Sequence, residues 1–274
     1  MTKKVLIVLS EHGYWGEELV GPLSVFEEKG YDLTFATPTG KRPRALPPSL
    51  DPQYIDPPLG RSVTTHEVAT LARMVDESER LDSPLDISGW VPERPYASSP
   101  DYLRECEAYY RALTEVDRDV AEYDAILLVG GSGPLVDMAN NARVHDLVLS
   151  FLRQDKAIAA ECYGVSCLAF ARDWDDRESI IMGKHVTGHC KEYDYKDGTG
   201  FLGTDFNMGP PPYPLEYILR DATGPNGRYH GNVGRETSVI VDYPFVTGRS
   251  TPDSFLTGIK LTEVLEKGLT RYGW

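Results

Sequence analysis

The sequence predicts an α/β fold: a doubly wound, mainly parallel sheet sandwiched by helices, of the flavodoxin-like type. Three observations predict it. Short apolar runs alternate with stretches whose apolar residues have helical spacing. The runs are apolar throughout, as in strands that are buried on both faces. The order strand, helix, strand recurs on both sides of residues 41–110. The 274 residues are enough for one large core.

The first strand–helix–strand unit occupies residues 3–40. "KKVLIVLS" predicts a strand buried on both faces, and "YDLTFATPTG" predicts a second strand. Between them, "GEELVGPLSVFEEKG" places Leu19, Leu23 and Phe26 at helical spacing and stops at Gly30. A helix between two such strands predicts a parallel pair with a right-handed crossover.

Residues 41–110 interrupt the alternation. "KRPRALPPSLDPQYIDPPLG" is rich in proline and predicts an irregular excursion. Helical patches follow in "EVATLARMVDESERL" and "PDYLRECEAYYRALTEV". We expect this segment to form an insertion or cap over the core of a single domain that spans residues 1–274.

The alternation resumes after the insertion. "YDAILLVGGSG" predicts a strand that ends in a glycine turn, "NARVHDLVLSFLRQ" a helix, and "KAIAAE" a strand that passes into a helix opening at Gly164. "TSVIVD" and "PFVTG" predict a hairpin around Tyr243 and Pro244. "TPDSFLTGIKLTEVLEKG" predicts a closing helix capped by Ser or Asp. The chain has no internal repeat and no low-complexity tract.

Charge and cysteine content exclude several classes of protein. A net charge of −14 argues against binding to nucleic acid or to an anionic membrane surface. No apolar segment approaches the ~18 residues of a membrane span, and the run from Val5 to Leu9 is too short for a signal peptide. The cysteines lack paired C-x-x-C spacing and are sparse for a disulfide framework, which predicts a cytoplasmic protein with reduced thiols. They are Cys106, Cys162, Cys167 and Cys190.

Cys162 lies where the strand "KAIAAE" passes into a helix, within "AIAAECYGVSCLAF". A tight turn from strand to helix presents a nucleophile above the edge of a sheet. The N–H groups at a helix N-terminus lower the pKa of a thiol and stabilise an oxyanion. The position therefore predicts a reactive thiolate rather than a buried structural cysteine, whereas Cys167 on the following helix is expected to pack in the core.

Six segments of the chain resemble, in order, the ThiJ/PfpI superfamily, which has the class I glutamine amidotransferase-like fold. The resemblance is closest to the large heat-shock chaperone and glyoxalase III branch, which carries an inserted cap. It covers most of the chain except residues 41–110, where only the presence of an insertion matches. The segments are "EELVGPLSVFEEKGYDLTFATP", "YDAILLVGGSGPLVDM", "AIAAECYGVSCLAF", "GKHVTGH", "PYPLEYILRDA" and "VIVDYPFVTGRSTPDS".

The resemblance implies roles for Cys162 and for an acid on the first helix. Cys162 matches the nucleophile at the elbow. Glu18, four residues before Pro22, matches the acid that contacts the thiol. A carboxyl group beside a thiolate is plausible where burial keeps it protonated, so that it donates a hydrogen bond. Glu17 is the neighbouring alternative, and either acid is otherwise a solvated residue of the first helical turn.

The third member of the site is His189 in "VTGH", which matches a histidine that one branch of the superfamily keeps near the thiol. Such a histidine serves proton transfer, and the alternative is a structural histidine. The chaperone branch has a histidine directly after the cysteine, where this sequence has Tyr163. That departure argues against protease-like and strict glyoxalase III activity. Tyr193, Asp194 and Tyr195 follow closely and are candidates to orient His189 or to bind substrate.

The "GGSG" turn is not a dinucleotide fingerprint, because no G-x-G-x-x-G pattern follows it. We expect the backbone N–H groups of Gly131 and Tyr163 to hold the reacting carbonyl oxygen; otherwise the glycines form a plain tight turn. His185, His189 and Cys190 together suggest a metal site, but we expect none, since His185 and His189 would share a face only on a helix, and "KHVTGH" predicts strand and turn. The segment "DFNMGPPPYPLEY" is expected to line a pocket, to form a subunit contact or to be a rigid loop.

Together these features predict an enzyme that needs no cofactor and uses Cys162 as nucleophile on a small electrophilic carbonyl compound. Its reaction is expected to be glyoxalase III-like, or that of a related hydratase or hydrolase. Its partners are expected to be a small-molecule substrate and a second copy of the chain in a homodimer. Glutamine amidotransfer is disfavoured because no late "HxE" motif is present. The alternative is a thiol redox sensor or holding chaperone that uses the same cysteine.

Overall fold

An eight-stranded sheet organises the chain, whose computed structural model describes residues 2–56, 59–194 and 214–274. The strands run in the order β10-β8-β9-β5-β4-β1-β2-β3, and those from β9 to β3 are parallel. Strands β8 and β10 run antiparallel to their neighbours, and β6 pairs with β7 in a separate sheet. The strands are β1 Lys4–Val8, β2 Asp32–Thr37, β3 Leu85–Asp86, β4 Ala125–Leu128, β5 Ala157–Glu161, β6 His185–Val186, β7 Arg228–Tyr229, β8 Val239–Asp242, β9 Phe245–Gly248 and β10 Arg271–Tyr272.

Helices cover both faces of this sheet, and for that reason every residue of β4 and β5 is buried. The doubly wound, mainly parallel sheet predicted from the sequence is confirmed. Within the described residues, no helix has both the length and the apolar character needed to cross a bilayer. The helices are α1 Gly16–Glu28, α2 His66–Asp76, α3 Ile87–Trp90, α4 Tyr102–Val120, α5 Pro134–Asp137, α6 Ala142–Arg153, α7 Ser166–Phe170, α8 Leu215–Ala222 and α9 Ser254–Lys267.

Two hydrophobic layers lie on opposite faces of the sheet. Helices α1 and α9 pack side by side on one face and bury Leu19 and Leu261 there. Helices α4, α6, α7 and α8 form the other layer. The close contact of α1 with α9 requires a glycine, because a Cβ atom at Gly258 would lie 2.7 Å from the Cα atom of Pro22. This contact fixes the first turn of α1 near the ends of β5 and β9.

Residues 41–110 contribute to three parts of the structure. Strand β3 extends the sheet beside β2, α2 packs on α1, and the start of α4 belongs to the opposite layer. The buried carboxylate of Asp76 joins this segment to the core, since it accepts a hydrogen bond from Tyr14 Oη at 2.9 Å. Asp146 on α6 holds the segment in the same way, by accepting hydrogen bonds from Arg94 (2.6 Å) and Tyr109 (2.6 Å). Residues 59–65 directly precede α2, whose packing on α1 places them beside the carboxyl ends of the strands.

Candidate active site

Cys162 lies at a strained turn directly after β5. Its φ angle of 52° is in the left-handed region, which side chains other than glycine rarely adopt. A 3₁₀ turn, Cys162–Val165, follows and leads into α7. A Cβ atom at Gly164 would lie 2.6 Å from the carbonyl oxygen of Leu128, so only glycine lets the turn approach β4 this closely. The turn presents the sulfur at the carboxyl edge of the sheet.

Two backbone N–H groups face the sulfur of Cys162: those of Gly131 and Tyr163. Gly131 has a φ angle of 97°, and a Cβ atom there would lie 2.6 Å from the backbone nitrogen of Trp15. At Gly130, a Cβ atom would lie 2.6 Å from Cys162 Cβ. The glycines of the "GGSG" turn therefore provide the space in which the backbone approaches the thiol.

Glu18 is the acid that contacts the thiol of Cys162, and it is 1% exposed. The pKa of Glu18 is raised to about 8, chiefly by burial; the hydrogen bond with Cys162 lowers this pKa and the charge of Glu17 raises it. At neutral pH Glu18 therefore holds a proton, which it can donate to the sulfur. Glu17 lines the same cavity, where burial raises its pKa to about 7.

The thiol of Cys162 is harder to ionise than the sequence suggested. Burial raises the pKa of Cys162, the charge of Glu18 raises it further when that group is ionised, and the N–H groups of Gly131 and Tyr163 lower it. The prediction of a lowered pKa is wrong, because Cys162 is buried and is followed by a 3₁₀ turn and a five-residue helix rather than by a long helix. A thiolate at this position needs a neighbouring base.

His189 lies beside the thiol of Cys162. Its Nδ1 atom lies 3.4 Å from the Sγ atom of Cys162, and its Nε2 atom lies 3.0 Å from Oδ1 of Asp194. The Nε2–Oδ1 distance is that of an ion pair, although the ring N–H is not aligned for a hydrogen bond. The ring of Tyr163 stacks on His189 with centroids 4.1 Å apart. The Tyr163 hydroxyl donates a hydrogen bond of 2.5 Å to the same Oδ1 atom of Asp194.

Two of these contacts lie beyond what the sequence indicated. Asp194 was one of three candidates near His189, and nothing in "CKEYDYKDG" distinguishes it from its neighbours. Tyr193 lies under the guanidinium of Arg249 at 5.5 Å, and Tyr195 lies outside the described residues. The contact of the Tyr163 hydroxyl is the second, because the sequence predicts a use for the backbone N–H of that residue and not for its hydroxyl.

The three residues considered for a metal site do not come together. His185 hydrogen-bonds to His230, with 2.8 Å between Nδ1 and Nε2, and stacks on Trp274. Cys190 is buried in the hydrophobic layer that α7 and α8 share, as is Cys167. Among the described residues, no group of three His, Cys, Asp or Glu side chains is arranged to hold a metal ion.

Cys162 opens into a cavity of about 380 Å³ at the carboxyl edge of the sheet. Its walls come from the ends of β1, β4, β5 and β9 and from residues 59–65. The proline-rich segment 205–217 is expected to line a pocket, to form a subunit contact or to be a rigid loop, and its residues 205–213 lie outside the described residues. Many other cavity residues lie in irregular segments without a motif and could not be singled out from the sequence, among them Trp15, Arg61, Thr64 and Arg235.

The chain matches a known family over the segments that build this site. A family model described as ThiJ/PfpI family-like matches residues 9–196, which include Glu18, Cys162 and His189. The chain belongs to the ThiJ/PfpI family. The family predicted from the sequence is thereby confirmed for this ThiJ/PfpI protein.

Two solved structures illustrate the shared fold. Glyoxalase III of Candida albicans is 17% identical, with a TM-score of 0.62, over 97% of this chain and 98% of that chain. The 24 kDa rapid encystment protein of Francisella tularensis is 19% identical, with a TM-score of 0.62, over 96% and 99% of the two chains. An uncharacterised protein of Methanocaldococcus jannaschii is 24% identical over 154 residues, which span 56% of this chain and 58% of that protein.

Proposed function

We propose that this ThiJ/PfpI protein is an enzyme that needs no cofactor and in which Cys162 adds to a small electrophilic carbonyl compound. The reaction is glyoxalase III-like, or that of a related hydratase or hydrolase. The observation that carries the proposal is the 3.4 Å contact between Cys162 Sγ and His189 Nδ1, at the wall of a cavity. A thiol whose pKa is raised by burial gains reactivity from a base placed against it.

The first step is addition of the thiol to the carbonyl carbon. His189 takes the thiol proton at Nδ1 while Sγ forms a bond to carbon and the carbonyl electron pair moves to oxygen. Asp194, 3.0 Å from Nε2, stabilises the imidazolium that results. The N–H groups of Gly131 and Tyr163 face the sulfur and are close to the oxygen that gains the negative charge.

For a 2-oxoaldehyde the later steps keep atoms and electrons balanced without an external oxidant. The oxyanion is protonated, and a base removes the hydrogen on the former aldehyde carbon. A proton is then added to the neighbouring carbon. The aldehyde carbon is oxidised to a thioester and the ketone is reduced to an alcohol. Water cleaves the S–C bond, releasing a 2-hydroxy acid and the free thiol. His189 is the proton carrier in this sequence, and protonated Glu18 holds the sulfur when it leaves.

Turnover of methylglyoxal to lactate tests the proposal. We expect Cys162→Ser to lower the rate by several orders of magnitude, and His189→Ala to lower it on the order of 10²-fold. His189→Ala is also expected to slow alkylation of Cys162 by iodoacetamide, because the base is lost. The matched control is Cys106→Ser. This half-buried cysteine lies on α4, outside the cavity, and its replacement should leave turnover unchanged.

Turnover that survives in Cys162→Ser contradicts the proposal. Absence of turnover in the wild type, together with a gain of two oxygen atoms at Cys162 under mild peroxide, favours the thiol sensor instead.

A further inference from the structure

Arg61 and Arg235 are two exposed cations at the cavity that contains Cys162. Neither guanidinium forms an ion pair or hydrogen bond with a residue that the structure describes. In a chain with 42 acidic and 28 basic residues, carboxylates are plentiful, and most described cations do pair. Arg61 does act on Asp56, whose carboxylate accepts the backbone N–H of Leu59 at 3.0 Å. The two guanidinium groups are thus available to a ligand.

A third arginine fixes the loop that carries Arg235. Arg249 is 1% exposed, and its guanidinium donates to the carbonyl oxygens of Asn232 (2.7 Å), Arg235 (3.0 Å) and Glu236 (3.1 Å). Its charge is balanced by Asp253 at 3.6 Å. Arg249 therefore holds the backbone of Arg235 at the cavity. Because its charge is paired with Asp253, it is not available to a ligand.

Neutral donors in the same wall also lack partners. The Nε1 atom of Trp15 and the Oγ1 atom of Thr64 are buried, and neither has a hydrogen-bond partner among the described residues. Both side chains line the cavity. A buried donor without an acceptor costs about 1–3 kcal/mol, and native proteins keep few of them. This observation is independent of the arginines, and it also indicates a ligand that brings oxygen acceptors.

We propose that the cavity has a second subsite, formed by Arg61, Arg235, Trp15 and Thr64, that binds a carboxylate on the electrophile while its carbonyl carbon meets Cys162. The inference rests on the proposed function and names the substrate class: small carbonyl compounds that carry a carboxylate. Planar guanidinium groups and neutral donors match the lone pairs of a carboxylate. A phosphate dianion fits less well, because Glu17, Asp56 and Glu236 line the same cavity.

Two alkylating reagents of nearly equal size test the subsite without turnover. Iodoacetate carries a carboxylate where iodoacetamide carries a neutral amide. Peptide mapping gives the rate at which each reagent alkylates Cys162. The net charge of −14 should by itself slow iodoacetate. We expect instead that the iodoacetate to iodoacetamide rate ratio at Cys162 exceeds that of a free small thiol on the order of 10-fold. The double variant Arg61→Gln/Arg235→Gln should lower the rate ratio at Cys162 to that of the free thiol.

The control is Arg104→Gln, an exposed arginine on α4, which should keep the wild-type ratio. A ratio no higher than that of the free thiol, or one unchanged in the double variant, overturns the subsite. Protection of Cys162 from both reagents by millimolar inorganic phosphate, with no preference for iodoacetate, overturns it in favour of a phosphate site. If the wild type shows the expected preference for iodoacetate but turns over no carbonyl compound, the proposed function is contradicted and the subsite is still supported.

Discussion

At the scale of the residue, the Tyr163 hydroxyl changes the expectation for Tyr163→Phe. The sequence analysis assigns a catalytic use only to the backbone N–H of Tyr163, which predicts a mild effect of this substitution. In the structure the hydroxyl holds the Asp194 oxygen that lies 3.0 Å from His189. We expect kcat to fall on the order of 10-fold with KM nearly unchanged, the effect of one lost buried hydrogen bond. Steady-state kinetics with methylglyoxal measures it.

The phenylalanine keeps the stacked ring, so that only the hydroxyl is tested. The matched control is Tyr109→Phe, which removes a buried tyrosine–aspartate hydrogen bond of 2.6 Å in the opposite layer. Its kcat should equal that of the wild type. Equal kcat values in all three proteins would show that Tyr163 does not position Asp194 for catalysis.

Glu18 should make stability depend on pH in a direction opposite to that of most carboxylates. Its pKa rises from an ordinary 4.5 to about 8 on folding, because the group is buried. Between these values the folded chain holds a proton that the unfolded chain has lost, so stability falls as pH rises through this range. Relative to Glu18→Gln, the wild type should lose on the order of 4 kcal/mol between pH 4.5 and 8. Urea unfolding at several pH values measures this.

Glu28→Gln, an exposed position at the end of α1, is the control and should keep the wild-type pH dependence. A wild-type curve parallel to that of Glu18→Gln would mean that Glu18 is ionised in the folded protein.

Sequence reasoning finds residues that a short local pattern specifies. Cys162 and Glu18 each belong to a recognisable segment, and their meeting follows from the order of the strands. Asp194 could not be chosen over Tyr193 and Tyr195 from the sequence. The path of the backbone after His189 decides which of these side chains turns toward it. The raised pKa of Cys162 was missed because burial is set by the whole wall of the cavity.

At the scale of the element, the turn after β5 carries strain that a substitution series can measure. Glycine is normally less stable than alanine in regular structure, but alanine at a φ angle of 52° costs about 1–2 kcal/mol. We therefore expect Cys162→Gly to be more stable than Cys162→Ala by about 1 kcal/mol. Cys167, buried in α7, provides the control pair, for which alanine should be more stable than glycine by a similar amount. Urea unfolding of the four variants tests this.

The order should therefore reverse between two cysteines five residues apart. Alanine more stable than glycine at both positions would mean that the turn is unstrained in solution.

The regular elements were predictable because each central strand is a continuous apolar run. The boundaries of α1, α6 and α9 agree with the pattern within a few residues. Strand β3 could not be predicted, because its two residues are exposed and pair with β2 only through tertiary placement. The same holds for residues 59–65, whose position depends on ties made far along the chain.

At the scale of the whole molecule, the ion pair of Arg94 with Asp146 helps to join residues 41–110 to the layer that contains α6. Arg94 Nη2 lies 2.6 Å from Oδ1 of Asp146, whose side chain is 1% exposed. Arg94→Met leaves this buried carboxylate with only the Tyr109 hydroxyl, so the free energy of unfolding should fall by about 2–3 kcal/mol. Arg104→Met breaks an exposed pair with Asp101 and should cost less than about 0.5 kcal/mol. Urea unfolding separates the two.

Similar losses in both variants would contradict the structural role of Arg94.

The homodimer and the cytoplasmic location remain predictions at this scale.

The unpartnered donors of Trp15 and Thr64 also make the protein suited to ligand screening by melting temperature. A compound that binds only the folded chain stabilises it by about 2.7 kcal/mol at a concentration of 100 times Kd, which corresponds to several degrees. Compounds that supply acceptors to both donors would raise the melting temperature more than isosteres that lack them. A panel of small oxygen-rich compounds could thus be ranked by the melting temperature of the protein, before any product of the reaction has been identified.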